Sequence, residues 1–200
     1  RYLTLFPQLI VVVALTVAAV AFFTVLNYFI LRSVYLSRPH LDRVFDWRMG
    51  TRSFMTLGSY GVAFYVAAIQ LHDMHAYSLY VTGPLAVWVL YLMGKNQALW
   101  LLGVIVDHDA RVVRIPPTTD PLDITDFLLV VPVFRHLSNY DVLPMESIEF
   151  VSRQAGKLLF LHGDFVSRKL EFSNKLKRDE ALFLITSKCG ISPRQMREID

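Results

Sequence analysis

The feature that most constrains this chain is a run of 30 residues without a charged side chain, from Tyr2 to Leu31. Two further uncharged runs of 19 residues follow, at Ser53–Leu71 and Ala76–Gly94. Because a helix rises about 1.5 Å per residue, roughly 20 apolar residues cross the hydrocarbon core of a bilayer. The sequence therefore predicts three transmembrane helices, at about residues 3–31, 53–71 and 76–94.

The composition agrees with membrane insertion of the first half of the chain. Hydrophobic residues make up 54% of the 200 residues, and the mean hydropathy is +0.41, which exceeds what ordinary soluble domains show. Beyond Lys95, charged and apolar residues alternate at short intervals. This change divides the chain into a membrane part at 1–95, a β-rich domain at 96–190, and the predicted start of a further helix at 191–200.

The orientation of the predicted spans follows from the charges that flank them. The segment 32–52 contains five arginines and two aspartates, whereas the turn between the second and third spans, His72–His75, has no lysine or arginine. Positive residues in short loops mark the cytoplasmic side. The N-terminus is therefore predicted outside, the basic loop 32–52 inside, and the C-terminal domain in the cytoplasm.

Small residues within the spans predict where helices approach each other closely, because a missing side chain lets two backbones come together. Gly83–Pro84 also predicts a kink in the third span. Asn27 is expected to form a hydrogen bond between helices. The candidate packing residues are Gly58, Gly61, Ala67, Gly83 and Pro84.

The second half has the pattern of a small α+β domain. Asp107–Ala110 is a turn between the apolar runs Leu99–Val106 and Arg111–Ile115, which predicts a hairpin. A second turn at His162–Asp164 separates two further predicted strands. An amphipathic helix is predicted from Asp179 to Lys188, with acidic residues at its start and Gly190 beyond its end.

These elements carry a resemblance to a known family. The stretch Leu143–Val151, the break at Gly156, the hairpin at His162–Asp164 and the closing helix resemble a bacterial PH-like domain over about residues 97–190. The resemblance implies a strand followed by a hairpin and a capping C-terminal helix. Such domains are often fused to membrane helices in bacterial envelope proteins, which implies a multi-pass protein of the bacterial inner membrane.

No motif for catalysis, phosphate binding or metal binding occurs in the sequence. The acidic and histidine residues of His72–His75 and Asp107–Asp109 are interpreted as solvated turns rather than metal ligands. The net charge of +3 does not indicate a nucleic-acid-binding surface. The sequence thus predicts neither an enzyme nor a cofactor.

Two groups of basic residues are candidates for contacts with anionic lipid headgroups or with an acidic partner. The alternative interpretation is that they determine topology and form a solvated protein surface. The candidate residues are Arg38, Arg43, Arg48, Arg52, Arg168, Lys169, Lys175, Lys177 and Arg178.

The leading functional hypothesis from the sequence is a non-enzymatic membrane subunit. Its helices would pack against other subunits, or against copies of itself, and its domain would act as a docking module in a larger bacterial envelope assembly, by analogy with secretion or conjugation machines. One alternative is a protein that binds or handles anionic lipids. A second alternative is a transporter or membrane-enzyme subunit with a polar site near the outer hairpin, at Gln70, His72, Asp73 and His75.

Overall fold

The computed structural model of the chain describes residues 2–37, 40–48, 78–117, 136, 138–154, 156–165, 167–191 and 193–195. Several predictions fall outside these residues. They concern the second predicted span with Gly58, Gly61 and Ala67, the outer hairpin with Gln70, His72, Asp73 and His75, and the basic residues Arg38 and Arg52.

Two long apolar helices dominate the first half. Helix α1 is Tyr2–Tyr35 and helix α2 is Ser78–Leu102. By length and composition, their segments Val13–Tyr35 and Gly83–Leu102 are each sufficient to cross a membrane. The two helices pack side by side and run in the same direction. Val20 of α1 clusters with Val89 of α2, and further along both helices Leu31 clusters with Leu99. The C-terminal ends of both helices therefore meet the domain.

Helix α2 is longer than the sequence predicts. It passes through Gly83–Pro84 without interruption and continues to Leu102, so the start of the predicted strand Leu99–Val106 is helical. Leu99 and Leu102 are fully buried between α1 and the domain. This burial stabilises the two extra turns, although a polar run beginning at Lys95 interrupts the apolar pattern.

The first sheet contains four antiparallel strands in the order β1-β2-β3-β4. The strands are β1 (Leu41–Val44), β2 (Val104–Asp107), β3 (Val112–Ile115) and β4 (Asp141–Pro144). The predicted hairpin about Asp107–Ala110 is confirmed, with Val106 opposite Val113.

Strand β1 corrects the prediction that residues 32–52 are only a loop. Its backbone pairs with β2, with Val44 opposite Val104 and Leu41 opposite Asp107, and the Val44 side chain is buried in the domain core. The first strand of the domain thus precedes α2 in sequence. Four residues were too short a segment for alternation to reveal, and only the partner strand satisfies their backbone groups.

The second sheet has the order β7-β6-β5-β8. A 3-10 turn, Met145–Ser147, leads into β5 (Ile148–Arg153), which pairs with β6 (Leu158–Gly163), followed by β7 (Arg168–Glu171). Strand β8 (Pro193–Gln195) adds to β5 in parallel. These three residues were predicted to begin a helix. They are extended because the edge of β5 offers backbone hydrogen-bonding groups that favour a paired strand.

Helix α3 (Lys175–Cys189) follows β7 and contacts both sheets. It begins one turn before the predicted start at Asp179, because the Asn174 side chain accepts a hydrogen bond from the Lys177 N–H at 2.8 Å. Gly190 ends the helix with a left-handed backbone, as predicted. The core beneath α3 contains buried aliphatic residues from both sheets, among them Val113, Val151, Leu159 and Leu161.

The described residues thus form a mixed α/β structure with two sheets, one packed helix and two long apolar helices. This confirms the mixed fold class and the presence of two helices capable of spanning a membrane. The second predicted span, at about 53–71, lies outside the described residues.

Candidate functional site at the helix–domain junction

The helices and the domain meet in one continuous apolar cluster, which we call the junction. Its buried members come from the end of α1, the end of α2, the start of β2 and the approach to β4. They are Leu31, Ala98, Leu99, Leu102, Ile105 and Tyr140. Since burial of a large aliphatic side chain contributes about 1.5–3 kcal/mol, this cluster holds the domain firmly against the helix ends.

Tyr140 closes the C-terminal end of α2. Its hydroxyl lies 3.1 Å from the Leu99 carbonyl oxygen and 3.0 Å from the Gly103 carbonyl oxygen, so it can donate to either. The last carbonyls of a helix lack partners within the helix, and here the domain supplies one. Burial raises the pKa of the Tyr140 hydroxyl, which therefore stays a proton donor. The Tyr140 ring also packs edge-on against Tyr35 of α1, with centroids 5.1 Å apart.

A largely buried ion pair lies next to this cluster. Arg114 Nη1 is 2.7 Å from Asp107 Oδ2, and the two side chains are 16% and 2% exposed. The Ala110 N–H also donates to Asp107 Oδ1, at 3.0 Å. The Arg114 guanidinium is 5.6 Å from the Tyr35 ring centroid. The pair therefore connects the first hairpin of the domain with the end of α1.

Close packing between α1 and α2 depends on Gly94, which the sequence analysis did not select. A Cβ atom at Gly94 would lie 2.4 Å from Phe23 Cβ. Gly94 was overlooked because it was taken as the last residue of the span. Around Gly83, no described atom lies within 4 Å of the Cβ position. Among the described residues, the Asn27 amide donates to the Phe23 carbonyl of its own helix at 2.8 Å, and its bond to another helix stays a prediction.

Three of the predicted basic residues lie at the end of the domain that is next to the end of α2. Arg43 stacks over the Phe45 ring at 4.7 Å, and Arg48 stacks over the Trp47 ring at 5.6 Å. Lys175 is exposed at the start of α3. These residues are far apart in sequence, and the sequence alone did not indicate that they belong to one end of the domain.

Three of the four other described basic candidates form ion pairs within the domain. Arg168 pairs with Asp141, and Lys177 pairs with Glu180 at 2.7 Å. Arg178 is only 6% exposed and donates to the carbonyl of Gly156 and to Asp179. Lys169, half-buried, lies opposite Phe160 on the second sheet. Arg168 and Arg178 thus have partners within the domain, and their predicted contact with lipid or a partner stays a prediction.

The far end of the domain has an open groove of about 300 Å³, lined by His108, Arg111, Met145, Glu146, Lys188 and Cys189. The ionic groups around it have partners, since Arg111 pairs with Glu146, while His108 and Lys188 both approach Asp42. The His108 hydrogen bond lowers the pKa of Asp42, and burial raises the pKa of the Cys189 thiol. Within the described ranges, no three His, Cys, Asp or Glu side chains come together as a potential metal site.

His162 occupies a separate position on the outer face of the second sheet. Hydrogen bonds of 2.9 Å connect its Nε2 with Ser152 Oγ and its Nδ1 with Ser167 Oγ. The ring stacks on Phe150 with centroids 4.4 Å apart. Burial lowers the pKa of His162 below its ordinary value of 6.5. The neutral ring is therefore the form that the folded domain favours.

We expect His162 to make the protein less stable in acid. The pKa of His162 is lower in the folded than in the unfolded state. Its contribution to the free energy of unfolding is therefore fully present above about pH 6.5 and is lost as the pH falls through the folded-state pKa. Thermal unfolding of the detergent-solubilised protein between pH 7.5 and 5 should show a smaller decline for His162→Gln than for the natural sequence. Equal declines in the two proteins would contradict this assignment.

No family model, curated protein or solved structure matches this chain. The resemblance to PH-like domains therefore stays a prediction.

Proposed function

We propose that this chain is a non-enzymatic subunit of a bacterial inner-membrane assembly, with three membrane-spanning helices and a cytoplasmic PH-like docking domain. The element order supports the domain assignment. Strand β5, the hairpin of β6 and β7, and helix α3 follow one another in the order that the resemblance implies, whereas β1 joins the first sheet from before α2. Helix α3 lies over the core between the sheets, where a capping helix is expected.

The direction of the two apolar helices supports an odd number of spans. The chain leaves the domain end of the helices after Arg48 and enters α2 at its opposite end, at Ser78. The second predicted span, at about 53–71, would carry the chain back across the bilayer. The arginines near the domain would then lie on the cytoplasmic side, in agreement with the positive-inside rule.

The single observation that carries a scaffold role is the junction. Leu99 and Leu102 continue the core of the helix pair into the domain, and Tyr140 from the domain binds the carbonyl end of α2. A domain joined by a flexible linker would sample many orientations. A domain held by a buried cluster keeps its outer surface at a fixed position relative to the membrane, which suits the positioning of a partner.

The outer face of α3 offers a contact for such a partner. Phe183 is 74% exposed on the solvent side of the helix. Aromatic residues are enriched at protein interfaces. The proposed partner is another membrane-associated subunit that presents an apolar pocket to Phe183.

Photocrosslinking in native membranes tests this proposal. A photoreactive amino acid at Phe183 of the tagged full-length protein should give one reproducible heterologous adduct. The same amino acid at Asp109, exposed in the turn at the far end of the domain, serves as the control and should not give that adduct. Phe183→Glu should reduce co-purification of the crosslinked protein about tenfold or more, as loss of an interface aromatic does.

The opposite outcome is equally clear. A monodisperse monomer that yields no position-dependent adduct from Phe183, and whose co-purification is insensitive to Phe183→Glu, would contradict the docking role. Adducts only between copies of this chain would indicate self-assembly instead of a heterologous subunit.

A further inference from the structure

The ends of the two long helices define the height at which the domain leaves the membrane. Phe23 packs against Gly94, so the parallel helices are aligned with Arg32 of α1 near Gly103. The candidate spans end at Tyr35 and at Leu102, so on this alignment α1 continues about one turn beyond the end of α2. Val34 of α1 is still 62% exposed there, so the apolar surface of the helix pair reaches this level.

The segment after β1 lies at this height. Val44 pairs with Val104, directly after Gly103, and the Gly103 Cβ position would lie 2.1 Å from the Val44 carbonyl oxygen. Phe45 and Trp47 follow immediately and are 38% and 56% exposed. The domain therefore presents two large aromatic side chains where α2 ends.

The start of α3 lies beside the same segment. Asp46, buried, accepts a hydrogen bond from the Ser173 N–H at 2.7 Å. Phe172 and Asp46 line one small crevice together with Trp100 of α2. Leu176, in the first turn of α3, is 75% exposed. The buried contact between Asp46 and Ser173 therefore holds the exposed pair Phe45 and Trp47, and the exposed Leu176, near the end of α2.

The two exposed charged side chains next to these aromatic and aliphatic groups, Arg48 and Lys175, are basic. Half-buried Arg43 adds a third cation, and half-buried Glu171 is an acidic neighbour that lines the same crevice. Arg43 and Arg48 stack on Phe45 and Trp47, and Lys175 precedes Leu176. Asp46 is buried, and its carboxylate accepts a hydrogen bond from the Ser173 N–H. Tryptophan and arginine together are typical of the headgroup region of a bilayer, and basic residues near an anionic leaflet contribute about 1 kcal/mol each.

From these contacts we infer that Arg43, Phe45, Trp47, Arg48, Lys175 and Leu176 form one membrane-contact patch, which binds the headgroups of anionic phospholipids. The apolar side chains enter the interface while the cations contact phosphate. This inference depends on the membrane insertion of the proposed function, but it does not require a protein partner. The patch would orient the domain against the bilayer, and Phe183, two turns beyond Leu176 on α3, would remain on the distal part of the helix.

Tryptophan fluorescence in reconstituted membranes tests the patch. A variant with Trp88→Phe and Trp100→Phe retains only Trp47. It is placed in phosphatidylcholine vesicles that contain 25 mol% phosphatidylglycerol. In one sample the phosphatidylglycerol carries brominated chains, and in the other an equal mole fraction of phosphatidylcholine carries them. Trp47 should be quenched, and quenching per brominated lipid should be at least twofold stronger for the anionic lipid.

A matched pair of charge variants tests the role of the cations. Arg48→Gln with Lys175→Gln removes two cations from the patch, and should abolish the preference for the anionic lipid. Arg111→Gln with Lys188→Gln removes two cations from the far end of the domain, and should leave the preference unchanged. Equal quenching by both lipids in the parent, or the same loss in both double variants, would overturn the inference.

A second reporter separates this inference from membrane insertion itself. Trp88 lies within the apolar segment of α2, so a variant that retains only Trp88 reports whether α2 enters the bilayer. Quenching of Trp88 without quenching of Trp47 would reject the patch and leave the membrane placement intact. No quenching of either residue would reject both.

If replacement of Trp100 prevents folding, native mass spectrometry of the natural sequence supplies the same test. The number of anionic lipids retained should fall in the Arg48→Gln, Lys175→Gln variant and not in the distal double variant. Equal retention in these two proteins would overturn the inference.

Discussion

Replacing Gly103 with alanine is expected to destabilise the protein by more than about 3 kcal/mol. Gly103 has φ = +75°, and a Cβ atom there would lie 2.1 Å from the Val44 carbonyl oxygen. The left-handed backbone alone costs alanine about 1–2 kcal/mol. The steric overlap is with backbone rather than with a flexible side chain, so relief requires β1 to move away from the end of α2. Thermal unfolding in detergent measures the loss.

Gly156→Ala provides the matched control. Gly156 also has a positive φ, of +94°, but no described atom lies within 4 Å of its Cβ position. This variant should therefore show the backbone cost alone, about 1–2 kcal/mol. If the two alanine variants unfold at the same temperature, the close approach of Val44 to Gly103 does not stabilise the junction.

The second large effect is expected for Asp107→Ala. Removing this carboxylate leaves the Arg114 guanidinium, which is 16% exposed, without its partner at 2.7 Å. Breaking a buried pair by removing one member typically costs about 3–5 kcal/mol, because the remaining charge is poorly solvated. The lower end of that range is expected here, since Arg114 also contacts the Tyr35 ring and keeps some access to water. Chemical unfolding of the solubilised protein measures the change.

Two comparisons identify the cause of that effect. Glu146→Ala removes the partner of Arg111, but this pair is 69% and 72% exposed, and its loss should cost no more than about 1 kcal/mol. Asp107→Leu combined with Arg114→Met removes both buried charges, and should be less destabilising than Asp107→Ala alone. Equal costs for Asp107→Ala and Glu146→Ala would show that burial does not strengthen the inner pair.

Local patterns in the sequence were sufficient for several elements of the fold. Long uncharged runs predicted both apolar helices, because helix length and hydropathy depend only on neighbouring residues. The turn at Asp107–Ala110 predicted the first hairpin, and Gly190 predicted the end of α3. Asn174 was a readable N-cap that the prediction overlooked.

The candidate site was predicted in part. Arg43, half-buried, and Arg48, exposed, each lie beside an exposed aromatic ring, and their contact with lipid or a partner stays a prediction. Arg178 was grouped with Lys175 because the two are close in sequence. Residues three apart share a helix face, yet Lys175 is the first residue of α3 and Arg178 lies one turn further along the helix. Arg178 is buried and bound to backbone carbonyls, whereas Lys175 faces solvent.

The sequence by itself determined which segments are apolar, where hairpins turn and which half of the chain is charged. Only the tertiary structure decided that Leu41–Val44 pairs with Val104–Asp107 across about 60 intervening residues, and that Pro193–Gln195 joins β5. It likewise extended α2 to Leu102. The physical reason is that the backbone groups of these segments form hydrogen bonds, and their side chains pack, with residues distant in sequence. A local sequence pattern does not identify those residues.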